Sequence, residues 1–416
     1  MSIFPNVHAS GTDVIRLGFI GCGNRGTGAC REALLAGANV TLVAMGDLFE
    51  ERLEKSLDNL AKYEDTELQI DVTPDRKFIG FDAYLDVLRC DCDAVILATP
   101  PHFRPIHYAA AIAADKHVFM EKPLCVDATG YRSLVETNQL AIDKRRSVVA
   151  GLQRRHQQNY LEGVDRIHSG ELGDVRLAQV YFNVQNGSRA GWQKPEGMNE
   201  LEYQLRHWAV FRWLSGDFFV EQTCHEIDVA NWVFGQHPER AWGMGDRQVR
   251  FGPGNGDIWD RFAVEYAYPN GERMYAQGRQ MQGCWDHVSD RFTGTQGTLT
   301  IGTGPWGYGS ATPRDLKTRA AKAQKSKPFV NPYQQEHRDW IASITGDGTY
   351  RMEGSYGAQS SMTAVMGRMA AYSGREISWE DAIADTTHEA PSEYRWDALA
   401  PVQPDAMGCY ASPRQG

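Results

Sequence analysis

The stretch VIRLGFIGCGNRGTGACREALLAGANVTLVAMGD, residues 14–47, decides how the rest of the chain reads. Val14, Ile15, Leu17, Phe19 and Ile20 form an apolar run too short for a helix before Gly21, which suits a strand buried on both faces of a parallel sheet. Gly21, Gly23 and Gly26 then spell G-x-G-x-x-G, and Ala29, Ala33, Leu34 and Leu35 continue at helical spacing until Gly37. A diphosphate must sit against backbone N–H groups at a helix N-terminus, and a Cβ at such a turn would hold it away. Asp47 ends a second apolar run about twenty residues beyond the last glycine, where a carboxylate accepts hydrogen bonds from an adenosine ribose. Strand, glycine turn, helix and acid together predict dinucleotide binding. Asp47 would repel a 2′-phosphate, so NAD is expected over NADP, with Arg52 in the next turn arguing the other way.

Working outward, residues 93–99 (DAVILAT) and 117–120 read as further buried strands, ending at Pro100-Pro101-His102 and Glu121-Lys122-Pro123. Carboxyl ends of parallel strands are where ligands bind in open sheets. Asn24, Arg25, Thr99, Pro100, His102, Glu121 and Lys122 are accordingly expected at the cofactor, with Gly21, Gly23, Gly26 and Asp47. A fifth strand over 147–152 closes the alternation of strands and helices, which sets a Rossmann domain at 14–152 after a tail at 1–13. Beyond it, residues 175–184, 240–249, 262–268, 273–280, 286–293 and 297–301 read as strands of an antiparallel or mixed sheet with one face to cover, with Pro269-Asn270-Gly271 as a hairpin turn. An α+β domain is expected over 153–385, with late helices at 332–344 and 355–373, a long loop at 302–327 and a tail at 386–416.

Composition narrows the class of function. With 416 residues, two domains are expected. The net charge of −10 and the lack of any Lys/Arg block argue against nucleic acid and anionic membrane as partners. The eight cysteines lack the density of a disulfide scaffold and the spacing of a zinc site, so reduced thiols and no metal are expected. Residues 1–13 lack a basic segment followed by an apolar core, so no secretory signal is read there and the cytoplasm is the expected location.

Three groups of residues carry candidate chemistry. Lys122, before a proline at a strand end, is placed to polarise a hydroxyl or carbonyl, or else is a surface lysine at a turn. In GDFFVEQTCHEIDVANW, residues 216–232, a continuous helix would align Glu221, His225, Asp228 and Trp232 on one face. A carboxylate one turn from an imidazole fixes its tautomer and raises its basicity, as a proton acceptor needs; a buried histidine satisfied by two acids is the plainer alternative. Arg154, Arg155 and His156 form a polar cluster at a strand end, suited either to substrate hydroxyls and anions or to salt bridges between domains. Gln222 and Asp228 are grouped with them as substrate contacts. Trp192, Trp208, Trp213, Trp259 and Trp285 add rings that pack on sugar faces or fill the core.

The glycine turn, ATPPH at 98–102, EKP at 121–123, the acid-x-x-x-His-x-x-Asp pattern at 221–228 and GTQGTLTIG at 294–302 together resemble the Gfo/Idh/MocA family of glucose-fructose oxidoreductases and inositol dehydrogenases. The resemblance covers nearly the whole chain. It implies an N-terminal Rossmann domain followed by an α+β domain with a large open, mainly antiparallel sheet, and hydride transfer between a nicotinamide cofactor and a sugar, polyol or glycoside hydroxyl. It also implies a homodimer or homotetramer, and Lys122, Glu221 and His225 as the catalytic trio, with Glu221 standing where the family commonly has Asp. The alternative outcome in such a family is a redox-neutral glycoside hydrolase, in which oxidation, elimination and re-reduction consume no NAD.

Overall fold

The computed structural model describes residues 14–37, 39–63, 68–185, 191–302, 312–315 and 330–413. The tail expected over 1–13 and most of the loop expected over 302–327 lie outside them. In the first domain, short apolar runs form strands and amphipathic runs cover them: β1 (Ile15–Ile20), α1 (Asn24–Leu34), β2 (Val40–Asp47), α2 (Glu50–Ala61), β3 (Gln69–Ile70), β4 (Lys77–Ile79), α3 (Ala83–Arg89), β5 (Ala94–Leu97), α4 (Arg104–Ala113), β6 (His117–Met120), α5 (Ala128–Asp143) and β7 (Val148–Ala150). The strands make one parallel seven-stranded sheet, ordered β3-β2-β1-β5-β6-β7 with β4 on β2. Leu17, Phe19, Ala94, Ile96 and Leu97 are fully buried because helices cover both faces. The chain runs from β1 outward on one side and from β5 outward on the other. This reversal opens a crevice at the carboxyl ends of β1 and β5, where the glycine turn and Thr99 lie.

The second domain comprises α6 (Gln158–His168), β8 (Val175–Val184), α7 (Glu200–Arg206), α8 (Arg212–Ser215), α9 (Phe218–Glu221), α10 (Cys224–Phe234), β9 (Arg240–Asp246), β10 (Arg261–Ala267), β11 (Arg273–Gln280), β12 (His287–Gly294), β13 (Gly297–Ile301), β14 (Thr312–Asp315), α11 (Pro332–Thr345), α12 (Gly354–Ser373), β15 (Ile377–Ser378) and α13 (Trp379–Ala384). Its eight-stranded sheet runs β14-β13-β12-β8-β11-β10-β9-β15, antiparallel except where β8 meets β11. Along β10 and β11 buried and open residues alternate, so one face is covered, and α10 and α12 cover it with Ile227, Met362 and Val365 among its core residues. No helix among the described residues is long and apolar enough to cross a membrane.

Three departures from the sequence expectation matter for the site. The segment expected to be one helix from 216 to 232 is two helices, α9 and α10, interrupted at Gln222 and Thr223. Residues 312–315, expected inside a loop, form β14 against β13. The tail folds back on its own chain: Ala400 and Tyr410 are buried in a cluster with Phe49 and Phe103 of the first domain and Leu205 and Trp213 of the second. Of the late helices, α11 buries Trp340 and Ile341 in the first-domain core, while α12 packs between the domains against α5 and α10.

Candidate functional site

Each glycine of the turn does a different job. Gly21 has φ +95°, and a Cβ there would lie 2.5 Å from the Thr99 nitrogen. A Cβ on Gly26 would lie 2.1 Å from the Gly21 carbonyl oxygen, so α1 can approach β1 only with hydrogen at that position. Gly23 is extended, with φ −72° and ψ 178°, and its absent Cβ would meet nothing within 4 Å. It faces open space at the N-terminus of α1, the cradle that a diphosphate needs.

That space is a cavity of about 500 Å³. Of the expected cofactor residues, the structure places Gly21, Gly23, Asn24, Arg25, Gly26, Asp47, Thr99 and Pro100 in its lining. Asp47 accepts hydrogen bonds from the Cys22 amide at 2.6 Å and the Phe49 amide at 2.9 Å. Burial pushes its carboxyl above the usual range, and the Phe49 amide and Arg52 pull against that shift. Each carboxylate oxygen keeps a further lone pair for a ribose hydroxyl.

His102 is not in the lining. Its Nε2 pairs with the Tyr394 hydroxyl at 2.6 Å, its ring lies against His388 of the tail, and burial lowers its pKa to about 4. The correction has a local cause: a short helical turn over Pro101–Phe103 rotates His102 away while His107, one turn further on, lines the cavity stacked on Tyr84 at 4.2 Å. Arg52 and Lys55 also line the cavity, as do Phe49, Phe81, Leu205 and Trp208, which were not picked out from the sequence as cofactor residues. Only the position of Phe49, two residues after Asp47, offered a signal.

Beyond the cavity, Arg25 donates to Glu121 at 2.5 Å, next to Lys122. Lys122 extends from the end of β6 across to the end of α9, where its Nζ contacts Glu221 Oε1 at 2.8 Å and also donates to the Glu221 carbonyl. Burial works against the charge on this ammonium, but Glu221, with Cys224 and Glu121 adding to it, outweighs the burial, and the pKa is raised. Gln222 donates to the other Glu221 oxygen. Glu221 therefore holds Lys122 and does not orient His225, as the sequence suggested. The break at Gln222 ends the one-face alignment, and a buried ammonium makes a stronger demand on a carboxylate than a neutral imidazole does.

His225, in the first turn of α10, is 8% exposed. Burial, with Lys122, Arg154 and Arg25 adding to it, holds its pKa well below the usual histidine range, so the ring is neutral near pH 7. Its Nδ1 is buried without a hydrogen-bond partner among the described residues. A neutral imidazole near a buried ammonium can accept a proton from a hydroxyl whose oxygen the ammonium stabilises.

The residues expected at the substrate are otherwise engaged, which corrects that assignment. Arg154 is 3% exposed and ion-paired to Asp290 at 3.1 Å and to Glu226. Arg155 grips Asp228 through two hydrogen bonds of 2.8 and 2.9 Å, over the Tyr356 ring, and Ser360 donates to the same carboxylate. His156 sits between Asp339 at 2.6 Å and Glu353 at 3.4 Å. Buried cations need anions at contact distance, and the second domain supplies them, so this cluster is the salt-bridge seam between domains. Of the tryptophans, Trp213 and Trp259 are core, whereas Trp192 and Trp285 are exposed.

Comparison with known proteins follows the same division. Residues 15–148 match the model of the oxidoreductase family NAD-binding Rossmann fold, and residues 164–378 match that of the oxidoreductase family C-terminal alpha/beta domain, both of the Gfo/Idh/MocA type. An inositol 2-dehydrogenase of Pseudomonas savastanoi pv. phaseolicola is 31% identical over 146 residues, 34% of this chain and 42% of that protein. That of Acidothermus cellulolyticus is 23% identical over 342 residues, 80% of this chain and 85% of that one. The chain spans about half the length of several of the curated relatives it matches. Among solved structures, scyllo-inositol dehydrogenase from Lactobacillus casei with bound NAD(H) and scyllo-inositol superposes with a TM-score of 0.66 at 20% identity, covering 88% of this chain and 100% of that one. That similarity concerns the fold.

Proposed function

The chain belongs to the Gfo/Idh/MocA oxidoreductase family, and on that footing we propose that it is a dehydrogenase moving hydride between NAD and a hydroxyl-bearing carbon of a sugar, polyol or glycoside. The observation that carries this reading is buried, charged Lys122 at the end of β6 facing buried, neutral His225 in the first turn of α10, near enough for the ammonium to help hold the imidazole neutral. NAD, when bound, supplies the hydride acceptor, held by the glycine turn and Asp47. His225 takes the hydroxyl proton. Lys122 stabilises the negative charge that grows on the oxygen, and Glu221 keeps Lys122 in place and protonated.

The preference for NAD over NADP rests on the Asp47 carboxylate. Arg52 lines the same cavity and acts on the Asp47 carboxyl, but its guanidinium already lies over the Phe49 ring at 4.7 Å and donates to the Arg206 carbonyl at 3.3 Å, engagements that a 2′-phosphate would have to compete with. All eight cysteines are free thiols, in keeping with a reducing cytoplasm. Exposed Met244, Tyr275 and Trp285 on the second domain favour assembly of a homodimer or homotetramer through the open sheet.

The test is a panel of sugars, polyols and aryl glycosides with NAD and NADP, following NADH absorbance and aglycone release together. Net NADH formation on at least one free sugar or polyol is expected, with turnover falling roughly 10²-fold or more in His225→Ala while NAD still binds. Aglycone release without net NADH would overturn the dehydrogenase reading in favour of a redox-neutral hydrolase. Full turnover in His225→Ala would remove that residue from the chemistry.

A further inference from the structure

The Asp47 end of the cavity is closed by parts of the chain that no strand-end rule places there. Three first-domain rings line it, Phe49, Phe81 and Phe103, and the second domain brings Leu205 and Trp208 against them. The tail backs these rings from behind. Trp396 lies 4.9 Å from Phe81 and 5.7 Å from Phe49, and Tyr394 lies 5.3 Å from Phe103, ring centre to ring centre.

The tail and α7 are one body. Asn199 donates to the Trp396 carbonyl at 3.2 Å, Gln204 to the Val402 carbonyl at 2.6 Å, and the Tyr410 hydroxyl to Glu200 at 2.5 Å. Their attachment to the first domain has a buried part, the Tyr394 hydroxyl on His102 at 2.6 Å and Ala400 and Tyr410 in the cluster with Phe49 and Phe103, and a peripheral part over the cavity rings. Arg206 lies 3.8 Å above the Phe49 ring and pairs with the exposed Glu51, and Trp396 is 39% exposed. The solvent-facing ion pair and the surface ring are the weak contacts of this set, so the seal over the cavity yields first at Arg206 and Trp396 while the buried part holds.

We propose that α7 and tail residues 394–410 form a latch over the Asp47 end of the cofactor site, and that its opening sets the rate at which the dinucleotide leaves. Arg206 and Trp396 are its positioning residues: they act on the cofactor through Phe49 and Phe81, which line the site. The proposal rests on the dinucleotide reading above and goes beyond it, since a Rossmann crevice alone leaves this end open to solvent.

Stopped-flow release of NADH from the full-length protein, chased with excess NAD and read by NADH fluorescence, tests it. Trp396→Ala and Arg206→Ala are each expected to speed release roughly tenfold, the loss of one ring or cation–ring contact. Trp396→Phe should restore most of the slow release. The melting temperature of the cofactor-free protein should move little in Trp396→Ala, because the ring removed is partly exposed, so a general loss of folding is told apart from loss of the latch. Release at the wild-type rate in both alanine variants, with NADH binding intact, overturns the latch. Failure of the wild type to bind either NADH or NADPH overturns the dinucleotide reading itself, and the latch with it.

Discussion

Lys122 shows how one charge is kept where chemistry needs it. Burial alone would strip its proton, and the Glu221 carboxylate 2.8 Å away, aided by Cys224 and Glu121, holds the pKa above its ordinary value. Glu221→Gln removes the largest favourable contribution and leaves the desolvation in place, so the pKa of Lys122 must fall. If the protonated amine is the working form, the alkaline limb of the kcat/KM profile moves to lower pH by at least about one unit, measured from pH 6 to 11. An unmoved limb would mean that the Lys122 proton is not required. The sequence singled out Lys122, Glu221 and His225 because strand ends and helix turns are periodic features. It did not reveal which of them pair. Glu221 and Lys122 stand 99 positions apart, and residue spacing says nothing about a charge arriving from another element. The same blindness explains Arg154, Arg155 and His156, whose type suited a substrate but whose partners come from α10, β12, α11 and the residue before α12.

At the scale of elements, the glycine turn was legible because its constraints are local: a positive φ at Gly21, a tight helix–strand approach at Gly26 and an open face at Gly23 all act within one strand and one helix. These roles separate under substitution. Gly26→Ala forces a Cβ to 2.1 Å from the Gly21 oxygen, a backbone atom that cannot move without undoing the turn, and a loss of about 1–3 kcal/mol or more is expected in thermal or denaturant unfolding. Gly23→Ala meets no protein atom within 4 Å and keeps an allowed φ of −72°. Its stability should hold or rise by about 0.4–1 kcal/mol, while the Kd for NAD measured by calorimetry should rise about tenfold or more. Wild-type affinity in Gly23→Ala would place the diphosphate elsewhere. Elements without local punctuation were harder to read. The interruption at Gln222 carries neither Gly nor Pro, and β14 exists only because β13 offers an edge to pair with. The tail has no periodicity because its rings fill gaps between other elements and present no face of their own.

At the scale of the molecule, the turn Gln153–His156, which follows the last strand of the first domain's sheet, sends three side chains into the second half. Arg154 reaches Glu226 and Asp290, Arg155 reaches Asp228, and His156 reaches Asp339 and Glu353. Burial raises the carboxyl pKa values of Glu226 and Asp290 above their usual range, with Arg154 between them opposing the shift. At His156 burial works against the proton, but the hydrogen bonds to Asp339 and Glu353 outweigh it and push the pKa up to about 10. A histidine whose folded pKa exceeds its unfolded value near 6.5 binds its proton more tightly in the native state. Its contribution to stability is complete below pH 6.5 and is lost as pH rises through about 10. Asp339, whose pKa is lowered by the same pair, gives its share above the ordinary carboxylate range and loses it only in acid, so it does not mask the alkaline loss. The melting temperature should therefore fall between pH 7 and 10.5, by an amount that reflects a few kcal/mol, of the order allowed for a paired, buried group. His156→Gln cannot carry the charge. It should be less stable at pH 7 and show a shallower fall over the same range when melting is followed by circular dichroism. A variant that falls as steeply as the wild type would locate the alkaline loss outside this seam, and a wild type with a flat profile would mean that His156 is not protonated in the fold.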